Sequence, residues 1–148
     1  MRYDPAYLSD VHELREIIAR AALALDTRQF DLWLDLCTDD IVLVFPLDPA
    51  NPLVCEGREA FRKQLGVLDA YEATTHFTGN MVTDIVGDTA RTETYCIAHH
   101  IQTTGGNRTD LRMSMRYRDS FLRIDGQWRM SRREMVIMWS DLIPSPAL

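Results

Sequence analysis

Apolar residues recur at helical spacing in the first half of the chain and at strand spacing in the second. Val11, Leu14, Ile17, Ile18, Ala21, Ala22 and Leu25 form one stripe at the 3.6-residue period. The stripe predicts a helix from residue 9 or 10 to about 26, with Asp10 and Glu13 in capping-box spacing. After a break at Asp26-Thr27, Phe30, Trp33, Leu34 and Cys37 make the inner face of a short second helix, ended by Asp39-Asp40. Residues 41–45 read as a strand stopped by Pro46, 47–52 as a loop, and 58 to about 70 as a third amphipathic helix carrying Phe61, Leu65 and Leu68. Four long strands follow, at 76–86, 89–103, 110–124 and 128 to about 139. Gly87-Asp88 turns, Gly105-Gly106-Asn107 and Asp125-Gly126 separate them.

Helices first and hairpins later predict an α+β fold, with residues 1–148 as one domain. A curved antiparallel sheet wraps around three helices of the N-terminal half and forms a cone with a pocket at its open end. Residues 142–148, with Pro144 and Pro146, are expected to be a frayed tail.

Composition narrows the function. Of 148 residues, 46% are hydrophobic and 26% charged, which excludes disorder and allows a real core. Sixteen basic against twenty-two acidic side chains leave a net charge of −6, and the arginines of 108–133 alternate with apolar residues, so neither a nucleic-acid nor an anionic-membrane footprint is expected. No apolar run approaches a membrane span, and residues 1–5 do not resemble a signal peptide, so the expected location is the cytoplasm. Cys37, Cys55 and Cys96 lie far apart and read as buried thiols. His12, His76, His99 and His100 lack zinc-ligand spacing, so no metal is expected. Phosphate-binding glycine loops and G-x-S-x-G are missing, and Lys63 is the single lysine, which removes nucleotide, serine-hydrolase and Schiff-base chemistry. No cofactor is implied.

A few polar residues fit a plain core poorly. Asp26 follows the apolar stripe at a helix C-terminus, where the dipole and partial burial both push its pKa up unless a cation compensates. It reads either as functional or as a solvated turn aspartate. Strand alternation puts His76, Thr78, Asn80 and Val82 on one face, so His76 points into a cavity or, as an edge histidine, into water. Of His99 and His100 only one can face inward. His100 shares a face with Ala90, Thr92, Thr94, Cys96 and Ala98, which suits the underside of packed helices, and is taken as inward; one β-bulge would reverse this. The aromatic and methionine residues suggest a greasy pocket for a planar or ring-shaped molecule. Arg132-Arg133 reads as a surface pair.

Three segments, 22–33 with Thr38-Asp-Asp40, His76-Phe-Thr-Gly-Asn80 and Ala98-His-His100, together with the Ile124-Asp-Gly-Gln-Trp128 hairpin, resemble the SnoaL-like group of the nuclear transport factor 2-like superfamily. Within it the polar trio is similar to the scytalone dehydratase-like branch. That resemblance implies a lyase or isomerase acting next to a carbonyl without a cofactor, with Asp26 paired to His100 and His76 as the second, proton-handling histidine. It implies a homodimer through the outer sheet face, and Tyr117, Phe45 and His99 as substrate-binding positions. Two carbonyl-activating tyrosines of the branch are replaced by Leu25 and Phe45, and its pocket asparagine falls near Tyr117, so scytalone itself is not the expected substrate. Residues 25–33 and 128–134 are also similar to small (β) subunits of ring-hydroxylating dioxygenases. The alternatives are therefore a non-catalytic subunit or a ligand-binding protein.

Overall fold

The computed structural model describes residues 4–46, 48 and 50–146. Helix α1 (Pro5–Asp26) is followed by a short α2 (Phe30–Leu34), strands β1 (Cys37–Phe45) and β2 (Leu53–Glu56), and α3 (Gly57–Leu65), which runs into a 3₁₀ turn (Gly66–Ala70). Four strands complete the chain: β3 (Ala73–Val86), β4 (Thr89–Thr104), β5 (Asn107–Ile124) and β6 (Gln127–Pro144). They form one six-stranded sheet in the order β2-β1-β6-β5-β4-β3. The expected antiparallel ladder holds for the four long strands, but β1 joins β6 in parallel, so the sheet is mixed.

Helix α1 lies across the concave side, burying Leu14, Ile17, Ile18, Ala21 and Leu25 against Phe121, Trp128 and Met130. Its start corrects the capping-box expectation. Asp4 is the N-cap and accepts the Tyr7 N–H at 2.8 Å, with Pro5 opening the first turn. Asp10 and Glu13 instead tie the helix to the sheet: Asp10 accepts from Arg123 (2.7 Å) and the Trp128 indole (3.2 Å), and Glu13 from the Trp128 backbone N–H (3.0 Å).

Other boundaries move for local reasons. Asp39 and Asp40 do not end α2; they sit in an exposed, irregularly paired stretch inside β1. Strand β2, four residues long, was too short to be seen as a periodic pattern. The loop expected at 47–52 falls partly outside the described residues, which leave out 47 and 49, and the N-terminal residues 1–3 also lie outside them. Residues 142–144, expected to fray, complete β6 against β5; Ser145 N–H bonds the Arg108 carbonyl, and the Arg108 guanidinium holds Ser145 Oγ and the Pro146 carbonyl. Residues 147 and 148 of that expected tail lie outside the described part. No helix of the described residues is long and apolar enough to cross a membrane.

Two bulges matter for the site. The β3–β4 register slips between Gly79 and Met81, leaving Asn80 extra at φ 49°. Beyond it the faces swap: Met81 packs on the core, and Val82 is 68% exposed, the reverse of simple alternation. A second slip between Ser120 and Phe121 shifts the pairing of β6.

Candidate functional site

The end of α1 delivers Asp26 to β3, an edge strand whose free N–H groups point away from β4. Asp26 Oδ2 accepts the His76 backbone N–H at 2.8 Å. Its Oδ1 lies 2.7 Å from His76 Nδ1 and accepts the Thr74 hydroxyl at 2.9 Å. Burial alone would raise the Asp26 pKa, but the hydrogen bonds from His76 and Thr74 outweigh it and hold the carboxyl below its ordinary range. The upward shift expected at a helix C-terminus is thus reversed. An ionised carboxylate is acceptor-only, so a His76 hydrogen belongs on Nδ1, and in the neutral ring Nε2 carries the lone pair.

The partner of Asp26 is therefore His76, not His100. His100 sits one strand over, opposite Thr74, where its Nδ1 donates to the Leu111 carbonyl at 3.1 Å. A carbonyl only accepts, so the neutral His100 also presents an Nε2 lone pair. The two rings are perpendicular with centroids 5.3 Å apart, and the Tyr71 ring stands 5.0 Å from His100. Burial pushes the His100 pKa below its ordinary 6.5.

That shift sets a stability prediction. The unfolded chain takes up this proton before the folded one, so stability from this group is complete above about pH 6.5 and falls as the pH drops below it. His100→Asn, which keeps a donor for the Leu111 carbonyl, should flatten the loss of urea-denaturation midpoint between about pH 6.5 and 5. Identical pH slopes in the two proteins would contradict it.

Both histidines line a cavity of about 320 Å³ that opens between the sheet, α2 and the 3₁₀ turn. Its wall is mostly apolar, with Leu111, Met113, Met115 and Met135 from β5 and β6, and Phe45 at its rim from the end of β1. Tyr117 also lies in the wall, buried, and burial raises its phenol well above the ordinary value, so it stays protonated. His99 does not reach the cavity. It faces the opposite side of the sheet, where its Nδ1 is 2.7 Å from Asp110 and its side chain is 41% exposed. Alternation along β4, which has no bulge, separates it from His100 as expected.

Arg133 is the main residue the sequence did not reveal. It is 2% exposed and lines the cavity, whereas Arg132 stays at the surface. Asp119 holds its Nε and Nη2 at 2.8 Å each, and its guanidinium carbon is 4.0 Å from the centroid of Tyr117 and 5.2 Å from that of Trp33. Desolvation alone would lower its pKa, but the Asp119 carboxylate more than offsets this and keeps it charged. Counting two by two from Trp128 and Met130 would put Arg132 inward; the bulge opposite Ser120 and Phe121 reverses that. The available signal was Asp119, a carboxylate between the inward Tyr117 and Phe121 with need of a cation.

The cysteines offer no nucleophile. All three are free and buried, and burial pushes the Cys37 thiol up to about 12. Among the described residues, no group of three or more His, Cys, Asp and Glu side chains could hold a metal ion.

With this geometry in place, a family model described as a SnoaL-like domain matches residues 6–134. The chain belongs to the SnoaL-like domain family. No curated protein matches it in sequence. A provisionally named scytalone dehydratase from Novosphingobium aromaticivorans has a similar solved structure: TM-score 0.81, 22% identity, covering 95% of this chain and 91% of that one. A provisionally named aromatic ring hydroxylase from the same organism gives 0.79 at 22% identity, covering 93% and 94%. Hexachlorocyclohexane dehydrochlorinase LinA-type3 from Novosphingobium barchaimii gives 0.80 at 14%, covering 92% and 91%. At these identities the likeness is one of fold.

Proposed function

We propose that this SnoaL-like protein is a cofactor-independent lyase or isomerase of the dehydratase type, acting on a small, hydrophobic cyclic ketone. The observation that carries the reading is the Asp26–His76 pair at 2.7 Å, whose imidazole forms part of the wall of an apolar cavity. At about 320 Å³ the cavity lies near the lower end of the roughly 300–1,000 Å³ usual for small-molecule sites, room for one small ring system.

In this mechanism His76 Nε2 takes the proton from the carbon next to the carbonyl, and the C–H electron pair passes into an enolate. Asp26 fixes the ring tautomer and stabilises the imidazolium. Arg133, the buried cation at the cavity wall with Nη1 outside its two bonds to Asp119, supplies the field that stabilises the enolate oxygen. His100 Nε2 accepts a hydrogen bond from the substrate hydroxyl and orients it. The C–O bond at the β-carbon then breaks as the enolate collapses, and His76 returns its proton to the departing hydroxide. The products are an enone and water, and the protein ends in its starting state. Return of the proton to a distant carbon instead gives an isomerase. Tyr117 and Phe45 shape the ring site. A homodimer through the outer sheet face, where Phe77 is 72% exposed beside Ile97, belongs to the same reading.

Incubating the purified protein with 3-hydroxycyclohexanone and a benzo-fused analogue, and following enone absorbance, tests the proposal. Catalysed loss of water is the expected result. Tight binding of the ring compound without turnover would overturn it in favour of a ligand-binding protein. Co-purification with an iron-bearing large subunit would favour the dioxygenase-subunit alternative.

A further inference from the structure

Helix α1 ends in a Schellman-type cap. Gln29 N–H bonds the Ala24 carbonyl at 2.9 Å and Arg28 N–H the Leu25 carbonyl at 3.2 Å. The geometry places Arg28 in the left-handed region, at φ 59°. That position is usually held by glycine, because a Cβ there crowds the following carbonyl. Two other described non-glycine residues have positive φ, Asn80 and Asp125, both short polar types that tolerate it. Arginine has no such excuse, and backbone strain of this kind persists where the side chain has other work.

The side chain joins three parts of the site. Arg28 Nη1 donates to the Leu25 carbonyl at 2.7 Å and to Thr74 Oγ1 at 2.8 Å; Nη2 donates to the Tyr71 carbonyl at 3.2 Å. Its Nε lies 3.9 Å from Asp69 in the 3₁₀ turn. The Thr74 hydroxyl has a single hydrogen. Because a guanidinium offers donors and no acceptor and Arg28 donates to that oxygen, the hydrogen is directed at Asp26 Oδ1, 2.9 Å away. Tyr71, held through its carbonyl, is the residue whose ring stands against His100.

We propose that Arg28 is a positioning residue of this site: its guanidinium aims the Thr74 hydroxyl at Asp26, so fixing the His76 ring, and holds Tyr71 against His100. The role rests on the proton-transfer reading, but its test need not. Arg28→Gly removes the guanidinium while giving the cap the residue it favours, so the fold should survive with a thermal midpoint within a few degrees. Thr74→Val removes the hydroxyl alone, and Thr74→Ser keeps it.

The first readout is the proton NMR resonance of the His76 Nδ1–H in the free protein. It should move upfield in Arg28→Gly and Thr74→Val and stay in place in Thr74→Ser. The second is turnover of 3-hydroxycyclohexanone, where Arg28→Gly should lower kcat by about 10- to 100-fold with little change in KM. An unmoved His76 resonance in either Arg28→Gly or Thr74→Val overturns the proposal. Should Arg28→Gly fail to fold, Arg28→Asn, a residue type that tolerates the left-handed conformation and lacks the guanidinium, carries the test. A shifted resonance in a protein whose wild type turns over no ketone supports the positioning role and removes the reaction instead.

Discussion

Replacing His76 by Gln is expected to lower turnover by about 10²–10⁴-fold while leaving the fold in place. A glutamine amide can still donate to Asp26, so the link between α1 and β3 survives, but it has no basic nitrogen to take a carbon-bound proton. Asp26→Asn should be nearly as damaging by another route. The carboxylate accepts three hydrogen bonds, two on Oδ1 and one on Oδ2. An amide offers one acceptor oxygen, so its NH₂ must face either the His76 backbone N–H or the pair of donors at Oδ1. In the second orientation the imidazole loses its fixed tautomer, and in either the imidazolium loses its counter-charge. This variant should also lose about 1–3 kcal/mol of stability from the unpaired donor. Steady-state kinetics with urea denaturation check both, and near-normal turnover in both variants would remove the mechanism.

The second large effect concerns stability. Arg133→Met should destabilise the protein by about 3–5 kcal/mol, because Asp119 is left as a fully buried carboxylate without its bidentate partner. Replacing both members, Arg133→Met with Asp119→Leu, should recover most of that loss, since well-packed apolar pairs often match a buried ion pair. The double variant also separates two roles of the arginine. If Arg133 stabilises the enolate, turnover stays low in a protein whose stability has returned. Urea denaturation of the single and double variants, with kinetics on the double, makes the comparison. A single variant as stable as the wild type would show that the pair is not the buried charge link described.

Much of the fold was legible because its periods are long and uninterrupted. The apolar stripe of α1 and the glycine and aspartate turns between the long strands place those elements within a few residues of where they lie. Strand β4 runs without a bulge, so counting by twos separated His99 from His100, and the face of small residues put His100 inside. His99, carried as a substrate-binding position by resemblance, lies outside the cavity. Where the pattern was broken, the reading failed for the same physical reason. Asn80 is an extra residue in β3, so Val82 faces out rather than in. Arg132-Arg133 read as a surface pair, but the slip opposite Ser120 turns Arg133 into the cavity. A bulge leaves little trace in composition, and a one-residue shift exchanges the two faces of every residue beyond it. The partner of Asp26 was hidden differently. The resemblance supplied a trio of residue types, but which histidine meets the carboxylate depends on how far the end of α1 reaches along the edge strand. The site of β3 that it reaches is the Thr74–His76 stretch, whose outward backbone N–H and alternating polar side chains donate to the carboxylate.

The central claim is that His76, held by Asp26, removes a proton from carbon next to a carbonyl. It is tested most directly by dissolving the protein in D₂O with 3-hydroxycyclohexanone and following deuterium incorporation at the carbons beside the carbonyl by NMR. The account predicts incorporation or elimination well above the buffer rate with wild-type protein, and a fall toward the buffer rate in His76→Gln. Exchange that is no faster than buffer, or that is equally fast without His76, would contradict it.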